Sequence, residues 1–369
     1  MRKISVAVIY GGRTGEHPIS CATAGAVMAA MDPEKYDIVS IGIRRDGTWV
    51  PGETDPGKLQ LGDATAEVAP SPERIIICPG DGTQPILARN SETGHVRELG
   101  SVDVVFPLIH GPFGEDGTLQ GLLEMAGLAY VGSGVFASAA GMDKVYMKQL
   151  LEHAGLTVGP YVYVSHTRWE NHRQEVLDEI SALKFPLFVK PARAGSSLGM
   201  TKVNTMSQID AAIATAAAID PRVLVEQGIN GREVECAVLG GLGGKRAMAS
   251  GVGEVLLDVP EGEFYDFAHK YVATDVLTNQ IPADVTADEC QRLREVALRT
   301  FEAFSCEGLT RVDMFLCPDG SVVVNELNTM PGFTPFSMYP ALWQKEGMTY
   351  AQLVDHLIEL ALERPIGLR

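Results

Sequence analysis

The run from Gly308 to Gly332, GLTRVDMFLCPDGSVVVNELNTMPG, constrains this chain more than any other stretch. Val, Phe and Leu fill two arms around Asp319-Gly320, a dipeptide suited to a two-residue turn, so the run predicts a β-hairpin. With that turn, Asp313 pairs with Glu326 and Arg311 with Asn328. Side chains alternate along a strand, so all four project from one face. Two facing carboxylates repel. Oxygens from Asp, Glu and Asn suit a hard cation such as Mg²⁺, with water and phosphate oxygens completing its shell. A solvated hairpin face whose acids happen to alternate gives the same pattern, because exposed charged faces are common.

The 369 residues predict two or three domains and a sizeable core. A hydrophobic fraction of 46% with 39 glycines fits an α/β enzyme better than a fibrous or disordered chain. The formal charge of −17 argues against non-specific binding to nucleic acid or to an anionic membrane. Any anionic ligand must therefore meet a local cluster of Lys and Arg. The six cysteines form neither a CxxC nor a metal-ligand spacing, which indicates no zinc site and no disulfide framework. The start of the sequence runs straight into a strand without a long apolar segment, predicting neither a signal peptide nor a membrane span. A reducing cytosol is the expected compartment.

Lys3–Ile9 reads as a buried strand, followed by a Gly-rich turn, Glu16 and a helix over 19–31. Strand, turn and helix open a doubly wound unit, although a G-x-G-x-x-G dinucleotide fingerprint is absent. Gly11-Gly12 lets the backbone turn and present Glu16 at the strand's C-terminal end, where α/β folds place ligands. An acid favoured by the helix dipole is the plainer reading of Glu16. Residues 51–74 read as a surface insertion, and 89–98 as a second, hairpin-like one. A second strand, 102–109, ends in the polar loop His110-Gly-Pro-Phe-Gly-Glu115-Asp116-Gly, whose acids could simply cap the helix over 118–126.

A helix from Lys144 to His153, a strand over 161–165 and a helix near 170–183 come next. The apolar strand 185–190 then ends in Lys190, and a small-residue loop with Ser196 and Ser197 leads to a strand over 199–204. A buried lysine is costly unless paired. Small residues let backbone N–H groups approach phosphate oxygens, so strand, loop and strand read as a flap over a nucleotide rather than a plain hairpin. A helix over 207–219 and a strand over 222–227 with Glu226 follow. Glu233 opens the next strand, over 233–239, ahead of another at 247–255. A long loop through Asp284, containing YDFAHKY, reads as a lid. A helix over 287–304 leads into the hairpin, and an amphipathic helix over 350–362 closes the sequence.

Taken together, YGGRTGEHPIS, HGPFGEDGTLQG, VKPARAGSSLGM, YDFAHKY, TRVDMF and NELNTMPGFTPFS occur in the order found in one family. The chain resembles the D-alanine–D-alanine ligases of the ATP-grasp group over nearly its whole length. That resemblance implies a three-domain α/β ATP-grasp fold. A doubly wound parallel-sheet domain would span 1–142, a central α+β nucleotide domain 143–228 and a catalytic α+β domain 229–369. It implies ATP-dependent ligation of two D-alanines through an acyl phosphate, for a peptidoglycan precursor, with two Mg²⁺ (or Mn²⁺) ions.

By position, the resemblance gives Lys144, Lys190 and Ser197 to the nucleotide phosphates, and Glu226 and Glu233 to adenine and ribose. It gives Asp313, Glu326 and Asn328 to the metal ions and Lys270 to the transferred phosphate. Arg311 and the backbone N–H of Gly332 fall to the tetrahedral intermediate. Glu16, linked through Ser196 to Tyr271, falls to the first substrate's ammonium. Ser337 and the backbone of Met338 fall to the second substrate's carboxylate, and His110 to the substrate side. The family usually has Tyr at the position of Phe267 and often Leu at that of Met338. Rival readings are a D-alanine–D-lactate ligase, which would replace the lid tyrosine that Tyr271 retains, and another carboxylate–amine ligase of the same group. A catalytically dead nucleotide-binding module is a third, although it would be expected to lose Arg311 or the metal acids. A homodimer is expected, because symmetric dimers are common among soluble enzymes.

Overall fold

The computed structural model describes residues 2–60, 66–80, 82–83, 85–196, 198–257 and 277–364. The chain begins with β1 (Ile4–Gly11), α1 (His17–Ala30), β2 (Tyr36–Ile43) and β3 (Trp49–Pro51). It continues through β4 (Glu73–Ile76), β5 (Ile86–Asn90), β6 (Val96–Gly100), β7 (Val104–Pro107), α2 (Thr118–Met125) and α3 (Val135–Met142). The first sheet has the order β3-β2-β1-β7, with β1 parallel to β2 and β7. Val6, Val8 and Tyr10 enter one core, while Ala7 and Ile9 enter another on the opposite face. Burial on both faces is why β1 reads as a continuous apolar run. At its end Gly11 has φ +93°, and a Cβ there would lie 2.2 Å from the Ile43 carbonyl oxygen. Only glycine fits that turn.

The 51–74 stretch is not simply a surface insertion. Leu59, Ala66 and Val68 are buried in the core beside β1, and Val68 packs so closely that a Cβ on Gly42 or Gly11 would meet it at 2.5 or 2.8 Å. Three apolar anchors inside a polar composition were enough to tie the segment down. The expected 89–98 hairpin is present as β5–β6, and β4 extends it to a three-stranded sheet.

The central part comprises α4 (Lys144–His153), β8 (Tyr161–Ser165), α5 (His166–Asn171), α6 (Arg173–Ser181), β9 (Leu187–Pro191), β10 (Thr201–Val203), α7 (Ile209–Ala217) and β11 (Arg222–Gln227). The helix expected near 170–183 is thus two, broken at His172. The antiparallel sheet β10-β9-β11-β8 has its own core of Val162, Val164, Leu187, Val189, Val223 and Val225 against Val176, Ile180, Ile213 and Ala216. Period-2 alternation leaves Lys190 and Glu226 on the other face of that sheet.

The remainder is β12 (Arg232–Leu239), β13 (Met248–Leu257), β14 (Leu277–Gln280), α8 (Ala287–Ala303), β15 (Leu309–Leu316), β16 (Val322–Asn328), α9 (Met338–Lys345) and α10 (Tyr350–Glu363). Their antiparallel order is β14-β13-β12-β15-β16. The long loop expected through Asp284 therefore ends in a strand, β14, paired to β13. YDFAHKY, with Lys270 and Tyr271, lies outside the described residues. Val234, Cys236, Val238, Val312 and Met314 pack on Leu293, Ala297 and Phe301 of α8 and on Met147 and Leu151 of α4. Ala237, Leu239 and Leu309, on the opposite face, join α9, α10 and the N-terminal sheet in one core. Capping boxes at Thr286 and Thr349 start α8 and α10.

Candidate active site

The hairpin face carries the pairing expected of it, by a different route. Asp313 lies opposite Glu326, and Arg311 opposite Asn328. The turn, however, is longer than two residues: Leu316 pairs with Val322, and the Cys317 N–H donates to Ser321 O while the Gly320 N–H donates to Cys317 O. That alone would set Asn325 against Asp313. A bulge between Asp313 and Met314 absorbs one residue of β16 and returns Glu326 to the site face.

The neighbouring strand adds a third acid, because Glu235 of β12 pairs with Asp313. Glu235, Asp313 and Glu326 thus form a row across three strands. Arg311 compensates that row. Its Nε and Nη2 donate to the two Asp313 oxygens at 2.7 Å each, and Nε lies 3.0 Å from Glu235 Oε2. Burial alone would lower the arginine pKa, but Asp313 and Glu235 outweigh it and hold the guanidinium protonated. Asn328 Nδ2 donates to Asp313 Oδ2 at 3.0 Å. Lys144 Nζ lies 3.4 Å from Glu326 Oε2 and donates to Ala194 O at 3.1 Å, tying the small-residue loop to the row's far end.

On the central sheet and α4 the sign reverses. Glu226 is buried between Lys190, which contacts Oε2, and Lys148, whose Nζ is 2.5 Å from Oε1. Burial alone would raise the Glu226 carboxyl, but Lys190 and Lys148 outweigh it and hold it well below its usual range. Burial would lower the Lys190 pKa, but Glu226 first, then Glu326 and Glu233, outweigh it and raise it.

The N-terminal segments close a third side. Asp143 caps α4 by accepting from the Val145 and Tyr146 N–H groups, and the Lys144 N–H donates to Ala192 O. Ser196 Oγ donates to Glu16 Oε1, joining the loop after β9 to the first helix. A Cβ on Gly111 would lie 3.0 Å from Glu16 Oε2, so the His110 loop borders the same carboxylate. His110 Nδ1 is 3.1 Å from the Met330 carbonyl, a contact it can make only as donor. Burial lowers its pKa and keeps the ring neutral. Its Nε2 is therefore a buried acceptor with no hydrogen-bond partner among the described residues.

The HGPFGEDG acids divide their work. Asp116 accepts from the Phe113 and Thr118 N–H groups around the start of α2, as a cap should. Glu115 accepts from Gly111 N–H at 2.8 Å and from Met330 N–H at 3.2 Å, spanning from the first unit to the last. Burial pushes its carboxyl up to about 8 against the pull of the Gly111 N–H. Beyond Met330, Ser337 occupies the N-cap position of α9, its side chain turned to Thr334 rather than to the helix N–H groups. Its Oγ lies 2.8 Å from Thr334 Oγ1 and would be 3.2 Å from a Cβ on Gly332. Gly332, Ser337 and Met338 therefore sit together at the helix N-terminus, where backbone N–H groups attract a carboxylate.

Glu16, His110, Lys144, Lys190, Ser196, Glu226, Arg311, Asp313, Glu326, Asn328, Gly332, Ser337 and Met338 all join these contacts. Glu233 enters through its field on Lys190. Ser197 lies outside the described residues, as do Lys270 and Tyr271. Lys148, Glu235 and Glu115 escaped sequence reasoning. Lys148 stands four residues from Lys144 on one helix, and Glu235 two from Glu233 on one strand, so periodicity carried a signal for both. Nothing local marks Glu115 as an inter-unit bridge.

Among the described residues, no three His, Cys, Asp or Glu side chains are arranged as a ready metal cage. The donor chemistry nonetheless fits a hard cation: Asp313 and Glu326 face each other, and the Asn328 amide adjoins them. No described helix is long and apolar enough to cross a membrane.

Comparison with known proteins accounts for nearly the entire chain. The family profile described as D-ala D-ala ligase N-terminus matches residues 5–133, and D-ala D-ala ligase C-terminus matches 150–359. A D-alanine–D-alanine ligase of Pseudarthrobacter chlorophenolicus is 50% identical over 369 residues, covering 100% of this chain and 96% of its own. One from Kineococcus radiotolerans is 50% identical over 373 residues, covering 100% and 99%. The crystal structure of the VanG D-Ala:D-Ser ligase from Enterococcus faecalis superposes with a TM-score of 0.82 at 34% identity, over 98% of this chain and 100% of that one. The D-alanine–D-alanine ligase from Coxiella burnetii gives 0.79 at 33% identity, over 99% and 95%. Two profiles that between them span most of the sequence, relatives at half identity along its full length, and a three-part α/β fold shared with solved ligases agree: the chain belongs to the D-alanine–D-alanine ligase family.

Proposed function

We propose that the cleft joins two D-alanine molecules at the expense of ATP, with the roles of its residues divided by charge. The observation that carries this division is the carboxylate row across β12, β15 and β16 beside the lysine-rich group of Lys144, Lys148 and Lys190. Lys190 and Lys144 hold the phosphates, with Ser197 in the loop between the central strands, and Glu233 takes the ribose hydroxyls. Glu226 serves the adenine side and, through its ion pair, sets the position of Lys190. Asp313, Glu326 and Asn328 would hold Mg²⁺, with Arg311, which donates to Asp313, turned toward substrate. When bound, the metal neutralises charge on the transferring phosphoryl group.

The first D-alanine places its ammonium against Glu16 and the free Nε2 of His110. Its carboxylate oxygen takes the γ-phosphoryl group while ADP departs. A carboxylate is a poor acyl donor, and the resulting acyl phosphate is a good one. The second D-alanine, its carboxylate on Ser337 and the Met338 N–H, attacks the acyl carbon with its deprotonated amine. Arg311 and the Gly332 N–H stabilise the oxyanion. Phosphate then leaves with the original carboxylate oxygen, and a peptide bond remains. Glu16, Ser196 and Tyr271 form the relay for the amine's proton, and Lys270 reaches the transferred phosphate. We read the three units as 1–142, 143–228 and 229–369, and the working form as a homodimer.

The test is ATP turnover with D-alanine alone, L-alanine alone, and D-alanine with D-serine or D-lactate, with product masses recorded. D-Alanyl-D-alanine with one phosphate per peptide, and none with L-alanine, is expected. Mixed D-Ala–D-Ser or D-Ala–D-lactate as the main product would overturn the choice of second substrate.

A further inference from the structure

Lys148 is the least exposed charged side chain of the nucleotide side, at 2% against 12% for Lys190. Burying an ammonium is unfavourable, and burial pulls the Lys148 pKa down. A lysine needed only for packing would be better replaced by methionine or leucine. Its Nζ instead rests on Glu226 Oε1 at 2.5 Å and 5.5 Å over the Tyr161 ring.

The two lysines on Glu226 differ in what lies beyond the shared carboxylate. Lys190 is drawn by Glu326 and Glu233, the acids that border the phosphate and ribose positions. Beyond Glu226, Lys148 is drawn by Glu152, one turn along its own helix and away from the cleft. Lys190 can reach a phosphate only by loosening its hold on Glu226. With no second cation, that exchange would strand a buried carboxylate, and Lys190 would stay where it is.

We propose that Lys148 is a positioning residue: it remains on Glu226 as a permanent counter-ion and so frees Lys190 for the nucleotide's phosphates. The inference rests on the nucleotide reading of this cleft. It involves no covalent step. α4 suits the task. It carries Lys144 to the metal acids and Lys148 to the central sheet, while Met147 and Leu151 anchor it in the C-terminal core.

The experiment is calorimetric binding of ADP to the full chain, with ATP and D-alanine kinetics alongside. K148M, close in volume, should weaken ADP and raise the ATP KM about tenfold, the scale of coupling between charges in contact. Its kcat at saturating ATP should stay within about twofold. K148R should recover most of the affinity. K148M/E226Q, which removes the stranded charge with its partner, should bind ADP more tightly than K148M alone. K148Q keeps a hydrogen-bond donor without the charge and serves if K148M does not fold; it too should weaken ADP. Unchanged ADP affinity in K148M or K148Q, with only a lower Tm, would show a structural lysine and overturn the proposal while leaving the nucleotide reading intact. Failure of the unaltered chain to bind ADP would overturn both.

Discussion

The two sides of the cleft handle buried charge with opposite signs. On the central sheet, two lysines share one carboxylate, Glu226. On the hairpin, three carboxylates line up across β12, β15 and β16 around one arginine, with Lys144 at the edge. Neither group is left uncompensated, since an unpaired buried charge is strongly destabilising. The lysine side makes contacts that an anion could take over, and the carboxylate side contacts that a cation could take over.

The hairpin side should be the more fragile. R311M removes the guanidinium that holds Asp313 and Glu235, and the main donor proposed for the oxyanion. We expect kcat to fall by about 10²–10³, the usual cost of one such donor. Stability should drop by about 3–5 kcal/mol as the acids lose their counter-charge. Near-normal turnover by R311M in a steady-state assay would break the comparison at its stronger end.

The Glu16–Ser196 contact joins the N-terminal unit to the loop that follows Lys190. E16Q keeps the shape and removes the charge. The KM for the first D-alanine should rise about 10- to 100-fold, as expected for losing a hydrogen bond to a charged group. ADP affinity should hold, which calorimetry on the same variant checks. Equal losses of both would mean that Glu16 shapes the loop rather than the substrate site.

A smaller effect isolates Glu115. Its carboxyl is raised from 4.5 to about 8 by burial, so the folded chain binds more protons than the unfolded one between those values. The stability this group contributes is complete below about 4.5, declines as pH rises toward 8 and is flat above that. E115Q, neutral at every pH, should remove that slope from a plot of Tm against pH from 5 to 9. A slope unchanged in E115Q would place the titration elsewhere.

What could be read from the sequence, and what could not, follows the same physics. The partners of Asp313 and Arg311 were legible because strand alternation is strict. Yet the route contained two errors that cancel, a turn one residue too short and a bulge left out. Bulges leave little trace in a single sequence. The burial of Lys190 was legible as a demand for an anion, but that anion is first of all Glu226, from a strand more than thirty residues away in sequence. Loop composition concealed the anchoring of Leu59, Ala66 and Val68, since three apolar residues among prolines, glycines and acids set up no period. For Glu115 the sequence offers only a possible cap, because capping is a local rule, whereas its bridge to Met330 depends on how the units meet.

The opposed signs of the two sides are tested most directly by ADP calorimetry with and without Mg²⁺ on the unaltered chain, K190M and D313N. K190M should lose affinity in both conditions, because its lysine meets phosphate directly. D313N should lose only the gain that Mg²⁺ confers, and bind as the unaltered chain does without metal. Equal loss by D313N in the absence of Mg²⁺, or a loss by K190M confined to its presence, would contradict the assignment of anion and cation to opposite walls.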